Sequence, residues 1–79
     1  MRRTMSTEPL RQYTIYNSPA DYPDLYVVRR WDIVPGEARA TDDVTTHFTL
    51  EDARLSVPRG LFCMTRSPGD DPCIVEVWM

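Results

Sequence analysis

The chain has 79 residues, of which 42% are hydrophobic and 27% charged, and its formal net charge is −3. This length predicts a single domain, because domains usually contain about 50 to 250 residues. The hydrophobic content excludes an intrinsically disordered chain, and no apolar run approaches the roughly 18 to 20 residues that a membrane span requires. We therefore expect one small domain without a membrane segment.

The charge balance narrows the classes of partner. All nine basic residues are arginines, and they are outnumbered by twelve acidic residues. Proteins that hold phosphate backbones generally carry a clustered basic excess, so we expect no nucleic-acid partner. The start Met1-Arg2-Arg3 is followed by polar residues rather than the apolar segment of a secretory signal, which favours a cytoplasmic protein.

The first third of the sequence predicts a tail and two strands. Residues 1–12 show no hydrophobic periodicity and predict a flexible tail ahead of a single domain over residues 13–79. Order is expected to begin at Tyr13, where β-branched and aromatic residues predict a strand over 13–16. Next comes a proline-containing loop over 19–24. It is followed by a strong strand signal over 25–34, which ends at Pro35-Gly36.

The middle of the chain predicts one helix over residues 49–57. Residues 36–43 lack large apolar groups and predict a surface loop, and residues 44–48 predict a short strand. Thr49 suits the N-cap, and acidic residues occupy the first turn. Leu50, Ala53 and Val57 fall on one stripe, and Phe48 is expected to pack on Ala53 as a hydrophobic staple.

The last part of the chain predicts a hairpin. The apolar runs 61–66 and 73–79 are separated by the turn-forming residues 67–72. Alternation predicts that Cys73, Val75, Val77 and Met79 face the core. The expected fold is therefore α+β, a small antiparallel sheet of four or five strands with one short helix packed on one face, in a strand order that the sequence leaves open.

Three segments carry a resemblance. These are Tyr-Thr-Ile-Tyr-Asn-Ser-Pro-Ala-Asp-Tyr-Pro-Asp-Leu-Tyr-Val-Val-Arg-Arg-Trp over residues 13–31, Leu-Glu-Asp-Ala-Arg over 50–54 and Arg-Ser-Pro-Gly-Asp-Asp-Pro-Cys-Ile-Val-Glu-Val-Trp over 66–78. Together they resemble a family of small uncharacterised bacterial proteins. The resemblance implies no activity and no catalytic residue.

Residues able to support catalysis or metal binding are few. His47 is the only histidine and lies in a Thr-rich stretch, where local hydrogen bonding is the ordinary role. Zinc ligation by His47, Cys63 and Cys73 lacks the close spacing of paired ligands, and a Cys63–Cys73 disulfide would require the hairpin register to pair those two positions. We expect no catalytic residue, no metal and no cofactor.

The paired acids and the glycines also favour ordinary structural roles. Asp42-Asp43 and Asp70-Asp71 are expected to solvate loops, because no Asp-x-Asp-x-Asp-Gly metal loop is present. The three glycines are isolated, so the sequence contains no phosphate-cradling loop.

The candidate ligand residues are Tyr22, Tyr26, Arg29 and Arg30. Arg29 and Arg30 are expected on opposite faces of a strand, where Arg30 would pair with an acid such as Glu76 and Arg29 would stack on Trp31. The alternative function is a small-molecule or nucleotide-binding module that uses Arg29 or Arg30 with the tyrosines of residues 16–26.

The leading function is protein association. A helix of eight or nine residues covers only one face of a small sheet, whereas apolar residues occur on both faces of the predicted strands. The loop over 16–24 or a second copy of the chain could cover the other face. We expect a small non-catalytic protein that forms a homodimer or serves as an accessory subunit, and an enzyme ranks third.

Overall fold

The computed structural model describes residues 10–64 and 72–79. In chain order the elements are β1 (Leu10–Asn17), β2 (Tyr26–Val34), β3 (Glu37–His47), α1 (Leu50–Ser56), β4 (Cys63–Met64) and β5 (Ile74–Trp78). The strands form one antiparallel sheet in the order β3-β2-β1-β5-β4. The predicted α+β class, with a five-stranded sheet and one short helix, is confirmed. No helix within the described residues has the length and apolar content to cross a membrane.

Strand β1 begins three residues earlier than the expected start at Tyr13. Leu10 lies opposite Ile33 and Gln12 opposite Trp31, so residues 10–12 belong to the sheet rather than to the predicted tail. Backbone hydrogen bonding to β2 orders these residues, so the strand forms there without a hydrophobic pattern in the side chains. Residues 1–9 of the predicted tail lie outside the described residues.

The prediction of a loop over residues 36–43 is wrong, because residues 37–43 belong to the 11-residue strand β3. The two-residue turn Pro35-Gly36 places Val34 opposite Glu37, and Gly36 has the positive φ of 84° that such a turn favours. Backbone pairing with β2 then continues to His47. The register shifts once, where Thr41, Asp42 and Asp43 face Arg30, and the Thr41 hydroxyl donates to the Arg30 carbonyl at 2.7 Å.

Helix α1 begins where the sequence predicts it. The Thr49 side chain accepts a hydrogen bond from the Asp52 backbone N–H at 3.1 Å. Ala53 and Val57 are buried in one cluster with Ile15 and Val28, as the predicted apolar stripe requires.

The predicted staple is wrong. Phe48 remains 85% exposed. Ala53 has no surface left for it, because Ala53 is already fully buried in the cluster with Ile15 and Val28.

The C-terminal strands form the predicted antiparallel pair, with Cys63 opposite Trp78 and Met64 opposite Val77. The predicted turn at 67–72 lies outside the described residues except for Pro72. The expected inward set of β5 is partly wrong. The pairing with β1 shifts by one residue at Val75, so both Val75 and Trp78 pack against the Ile15 cluster, whereas Val77 lies opposite Thr14 on the other face.

The register divides the strand residues between two faces, which we name the Ile15 face and the Thr14 face. The Ile15 face includes the central pair Ile15 and Val28 together with Tyr13 and Trp78. The Thr14 face consists of Leu10, Gln12, Thr14, Tyr16, Val27, Arg29, Trp31, Ile33, Ala38, Ala40, Val44, Thr46, Met64, Ile74 and Val77.

Candidate functional site

Arg29 and Arg30 lie on opposite faces of β2, as predicted. Arg29 is opposite Thr14 in the register, and Arg30 is opposite Tyr13. The two guanidinium groups therefore cannot serve one ligand together, and each has to be considered with the residues of its own face.

Arg30 takes part in an ion-pair cluster at the irregularity of β3. Its Nε lies 3.2 Å from Oδ1 of Asp32, and its Nη1 lies 3.6 Å from Oδ2 of Asp43. The contact with Asp32 lacks hydrogen-bond geometry, because neither of those two buried atoms has a hydrogen-bond partner. The two acids offset the charge of Arg30 within the protein. Asp43 is thus an ion-pair residue of a strand, which corrects its predicted role as a loop acid.

Glu76, the acid expected to pair with Arg30, binds Arg54 of the helix instead. The Arg54 Nε donates to both carboxylate oxygens at 3.1 Å, and the Trp78 indole N–H donates to Oε1 at 3.1 Å. These hydrogen bonds, the one from Arg54 foremost, hold the pKa of Glu76 below its usual range despite the opposing effect of burial. The predicted Arg30–Glu76 pair is wrong, because the helix supplies a closer cation.

A cavity of about 340 Å³ lies against one end of the Thr14 face. Its walls come from two strands, from the β1–β2 loop and from the residue before β5, and they are formed by Tyr16, Pro19, Ala20, Asp21, Tyr22, Val27, Arg29 and Cys73. The volume falls in the range of about 300 to 1,000 Å³ that is typical of small-molecule sites.

Backbone hydrogen bonds hold the loop that borders this cavity. The Ser18 N–H donates to the Leu25 carbonyl at 2.8 Å, and the Tyr22 N–H donates to the Pro19 carbonyl at 3.0 Å. The neighbouring Asn17 N–H donates to the Cys73 carbonyl at 2.7 Å. The loop therefore has a defined shape that is tied both to β1 and to the residue preceding β5.

Arg29 is the cation of the cavity. Its Nη1 donates to the Thr41 carbonyl at 2.9 Å, and the guanidinium makes no other hydrogen bond within residues 10–64 and 72–79. The side chain is thus positioned by one bond while its remaining N–H donors are available to a ligand. The exposed Asp21 also lines the cavity, and no ion pair joins it to Arg29 in the described part of the chain.

The structure brings together two of the four predicted ligand residues. Tyr22 and Arg29 line the cavity, whereas Tyr26 packs against the Ile15 cluster and Arg30 lies on the opposite face. Tyr16, one of the tyrosines of residues 16–26 that the alternative function uses, also lines the cavity, because a loop that joins β1 to β2 lies above the last residues of β1. Sequence reasoning missed Asp21. Asp21 carries no signal, because Asp is ordinary in a proline-rich loop.

The residues considered for catalysis and metal binding lie apart. His47 is on edge strand β3, where its Nε2 lies 2.8 Å from the Thr45 hydroxyl, and Cys63 is on the opposite edge strand β4. Cys63 lies opposite Trp78 rather than Cys73, and both cysteines are thiols. Burial raises the pKa of the Cys63 thiol. No group of three His, Cys, Asp or Glu side chains that could hold a metal occurs in the described ranges. Asp70-Asp71 lies outside them.

The remainder of the Thr14 face is largely apolar and partly exposed. Arg29 is the only charged side chain among the residues that the strand register places on this face. Leu10 is 67% exposed and Met64 49% exposed, while Trp31 and Ile33 are half-buried. A solvated sheet face normally alternates to polar residues, so this composition is typical of a surface that is covered by another element or chain.

The chain was compared with models of known families, with curated proteins and with solved structures, and none of them matches it.

Proposed function

We propose that this protein is a small non-catalytic cytoplasmic module that acts through protein association, and that its partner is a second copy of the same chain. The association surface is the Thr14 face beyond the cavity, at Leu10, Trp31, Ile33 and Ala40. The observation that carries the proposal is the largely apolar composition of this face, in which Arg29 is the only charge among the residues that the strand register assigns to it.

The position of the helix supports this surface. We infer that α1 packs on the Ile15 face alone, since Ala53 and Val57 are buried with Ile15 and Val28. A helix of seven residues is about 10 Å long and covers part of one face only. The Thr14 face then has the β1–β2 loop over one end and no element of the described chain over the other.

A second copy fits this surface better than a chemically different partner. An isologous interface joins the same patch on both subunits, so an apolar patch without opposed charges is complementary to itself. A domain of this size also buries only about 60 to 65% of its unfolded surface, and pairing would add the missing apolar burial.

Light scattering on the wild-type protein tests the proposal. Over protein concentrations of about 10 to 100 µM we expect the mass to rise toward twice the 9.2 kDa of one chain. Ala40→Arg places a charge opposite Trp31 at an exposed position of the face, so it should preserve the fold and return the mass to that of one chain.

Leu55→Arg is the matched control, because Leu55 is 83% exposed on the helix and does not belong to the Thr14 face. We expect this variant to associate like the wild type. A wild-type mass of 9.2 kDa at every concentration would contradict the proposal, and so would equal dissociation of the Ala40→Arg and Leu55→Arg proteins.

A further inference from the structure

We propose that the cavity against the Thr14 face binds a free amino acid with an aromatic or large apolar side chain. Arg29 would bind the ligand carboxylate, Asp21 its ammonium group, and the walls its side chain. This site is independent of the proposed association, which uses the other end of the face.

The cavity is lined by two opposite charges. One cation and one anion line the same space, and no hydrogen bond or ion pair joins Arg29 to Asp21 within the described residues. Opposite charges that do not neutralise each other present a dipole to the cavity. A free amino acid is a zwitterion whose ammonium and carboxylate groups are attached to the same carbon atom, and its opposite charges are complementary to that dipole.

The geometry of Arg29 favours a carboxylate. Its guanidinium is partly buried and held by the bond from Nη1 to the Thr41 carbonyl at 2.9 Å. A positioned guanidinium binds carboxylate in a two-pronged arrangement and loses little side-chain entropy when it does so. A nucleotide is disfavoured, because several phosphate charges would face one arginine and would be repelled by Asp21.

The walls of the cavity offer aromatic and apolar surface for the side chain of the ligand. Tyr16 and Tyr22 supply aromatic surface, and Val27, which is only 3% exposed, supplies an apolar floor. Pro19 and Ala20 add small apolar surfaces from the loop. Burying an aromatic side chain against such walls contributes favourable free energy beyond that of the two charge contacts.

The loop is built to keep this arrangement in place. Ser18 and Asp24, which flank the lining residues 19–22, both have positive φ values, 52° and 66°. Non-glycine residues occupy this region rarely and at a conformational cost, so the surrounding contacts must specify the bend. The strained ends place Asp21 and Tyr22 over the strands instead of leaving them directed away from the sheet.

Titration followed by amide chemical shifts tests the site with L-phenylalanine as the probe. We expect saturable shifts at Tyr16, Ala20 and Tyr22. Two analogues provide the comparison, namely 3-phenylpropionate, which lacks the ammonium group, and phenethylamine, which lacks the carboxylate. Each should bind at least about tenfold more weakly than L-phenylalanine, the factor that corresponds to one lost charged contact.

The variants assign each charge. Asp21→Asn should weaken L-phenylalanine about tenfold and bring its affinity close to that of 3-phenylpropionate, because the ammonium contact is lost. Arg29→Gln should abolish binding, while Arg29→Lys keeps the charge and should retain weak binding. Arg59→Gln and Asp42→Asn are exposed controls outside the cavity and should bind like the wild type.

Several results would overturn the proposal. These are the absence of shifts at the lining residues with L-phenylalanine, equal affinity for the two analogues and the amino acid, or unchanged binding in Asp21→Asn. Asp21 is exposed, so its substitution tests the site even if Arg29→Gln disturbs the strand. Light scattering on the same samples keeps the two proposals separate, because loss of ligand binding with retained dimer mass contradicts this one alone.

Discussion

The two faces of the sheet differ in where their charged residues and their buried residues lie. The Ile15 face contains the buried cluster with the helix residues, yet it also carries most of the charges, including Arg11, Asp32 and Arg39 opposite one another on three strands. The Thr14 face has a single charge among the residues that the strand register assigns to it, and it includes the largely exposed Leu10.

The proposed packing of α1 on the Ile15 face requires only a small apolar area beneath the helix. Ile15 and Val28 form that area. Arg11, Asp32 and Arg39 of the same face lie farther along the strands, whereas Glu76 lies opposite Ile15 and binds Arg54 of the helix. Apolar content along a strand therefore does not identify the face that the helix covers. On the Thr14 face, the apolar surface extends beyond the end that the β1–β2 loop covers at the cavity. We propose that a second copy of the chain covers the rest.

The largest expected effect is a difference in the free energy of unfolding between substitutions on the two faces. Ile15→Ala removes the only large side chain that is fully buried in the described chain, and we expect it to lower the free energy of unfolding by about 2 to 5 kcal/mol. Val44→Ala, at a half-buried position opposite Arg29, should cost about 1 kcal/mol or less. Urea denaturation at low protein concentration measures both. Equal losses would contradict the placement of the core at Ile15.

The second effect concerns the link between helix and sheet. Glu76→Ala removes the acceptor for Arg54 and Trp78, and we expect it to cost about 1 to 2 kcal/mol, since Arg54 is substantially exposed. Glu51 is exposed in the first helical turn and provides the control, because Glu51→Ala should cost less than about 1 kcal/mol. Urea denaturation at neutral pH compares the two.

The same residue makes a prediction about pH. The pKa of Glu76 in the folded protein lies below its usual 4.5, so its contribution is fully present above the unfolded value and is lost as the pH falls through the folded pKa. The wild type should therefore lose stability relative to Glu76→Gln as the pH is lowered below about 4.5. Parallel stability curves for the two proteins in this range would contradict the Arg54–Glu76 contact.

The smallest effect tests the start of the helix. Thr49→Ala removes the acceptor of the Asp52 backbone N–H, and we expect a loss of about 1 kcal/mol. Thr46→Ala, which removes the same hydroxyl from an exposed position on β3, should change stability by less than about 0.5 kcal/mol. Thermal unfolding followed by circular dichroism resolves this difference. A larger loss in Thr46→Ala would show that α1 is not capped by Thr49.

Elements fixed by local chemistry were predictable, and those fixed by pairing were not. Thr49 could be identified as the N-cap because a hydroxyl before an acidic first turn acts within three residues. The first half of β3 could not, because its small and charged residues are ordered by the backbone of β2. The shift at Val75 was equally hidden, since one extra residue changes which face the following side chains occupy.

The same division applies to the candidate site. Tyr22 and Arg29 could be proposed from residue chemistry, since aromatic rings and a guanidinium are common ligand contacts. The separation of Arg29 from Arg30 followed from strand alternation. The partners of the charged residues could not be read from the sequence, because Glu76 meets Arg54 and Arg30 meets Asp43 only after the helix and β3 have taken their places.

The most direct test of the association surface is an isotope-filtered NOE measurement on an equal mixture of labelled and unlabelled protein. The account predicts contacts between chains from the Trp31 indole to Ile33, Ala40 or Leu10 of the other copy. Contacts between chains that involve only Leu55 and Phe48, or none in a sample whose mass is that of a dimer, would contradict it.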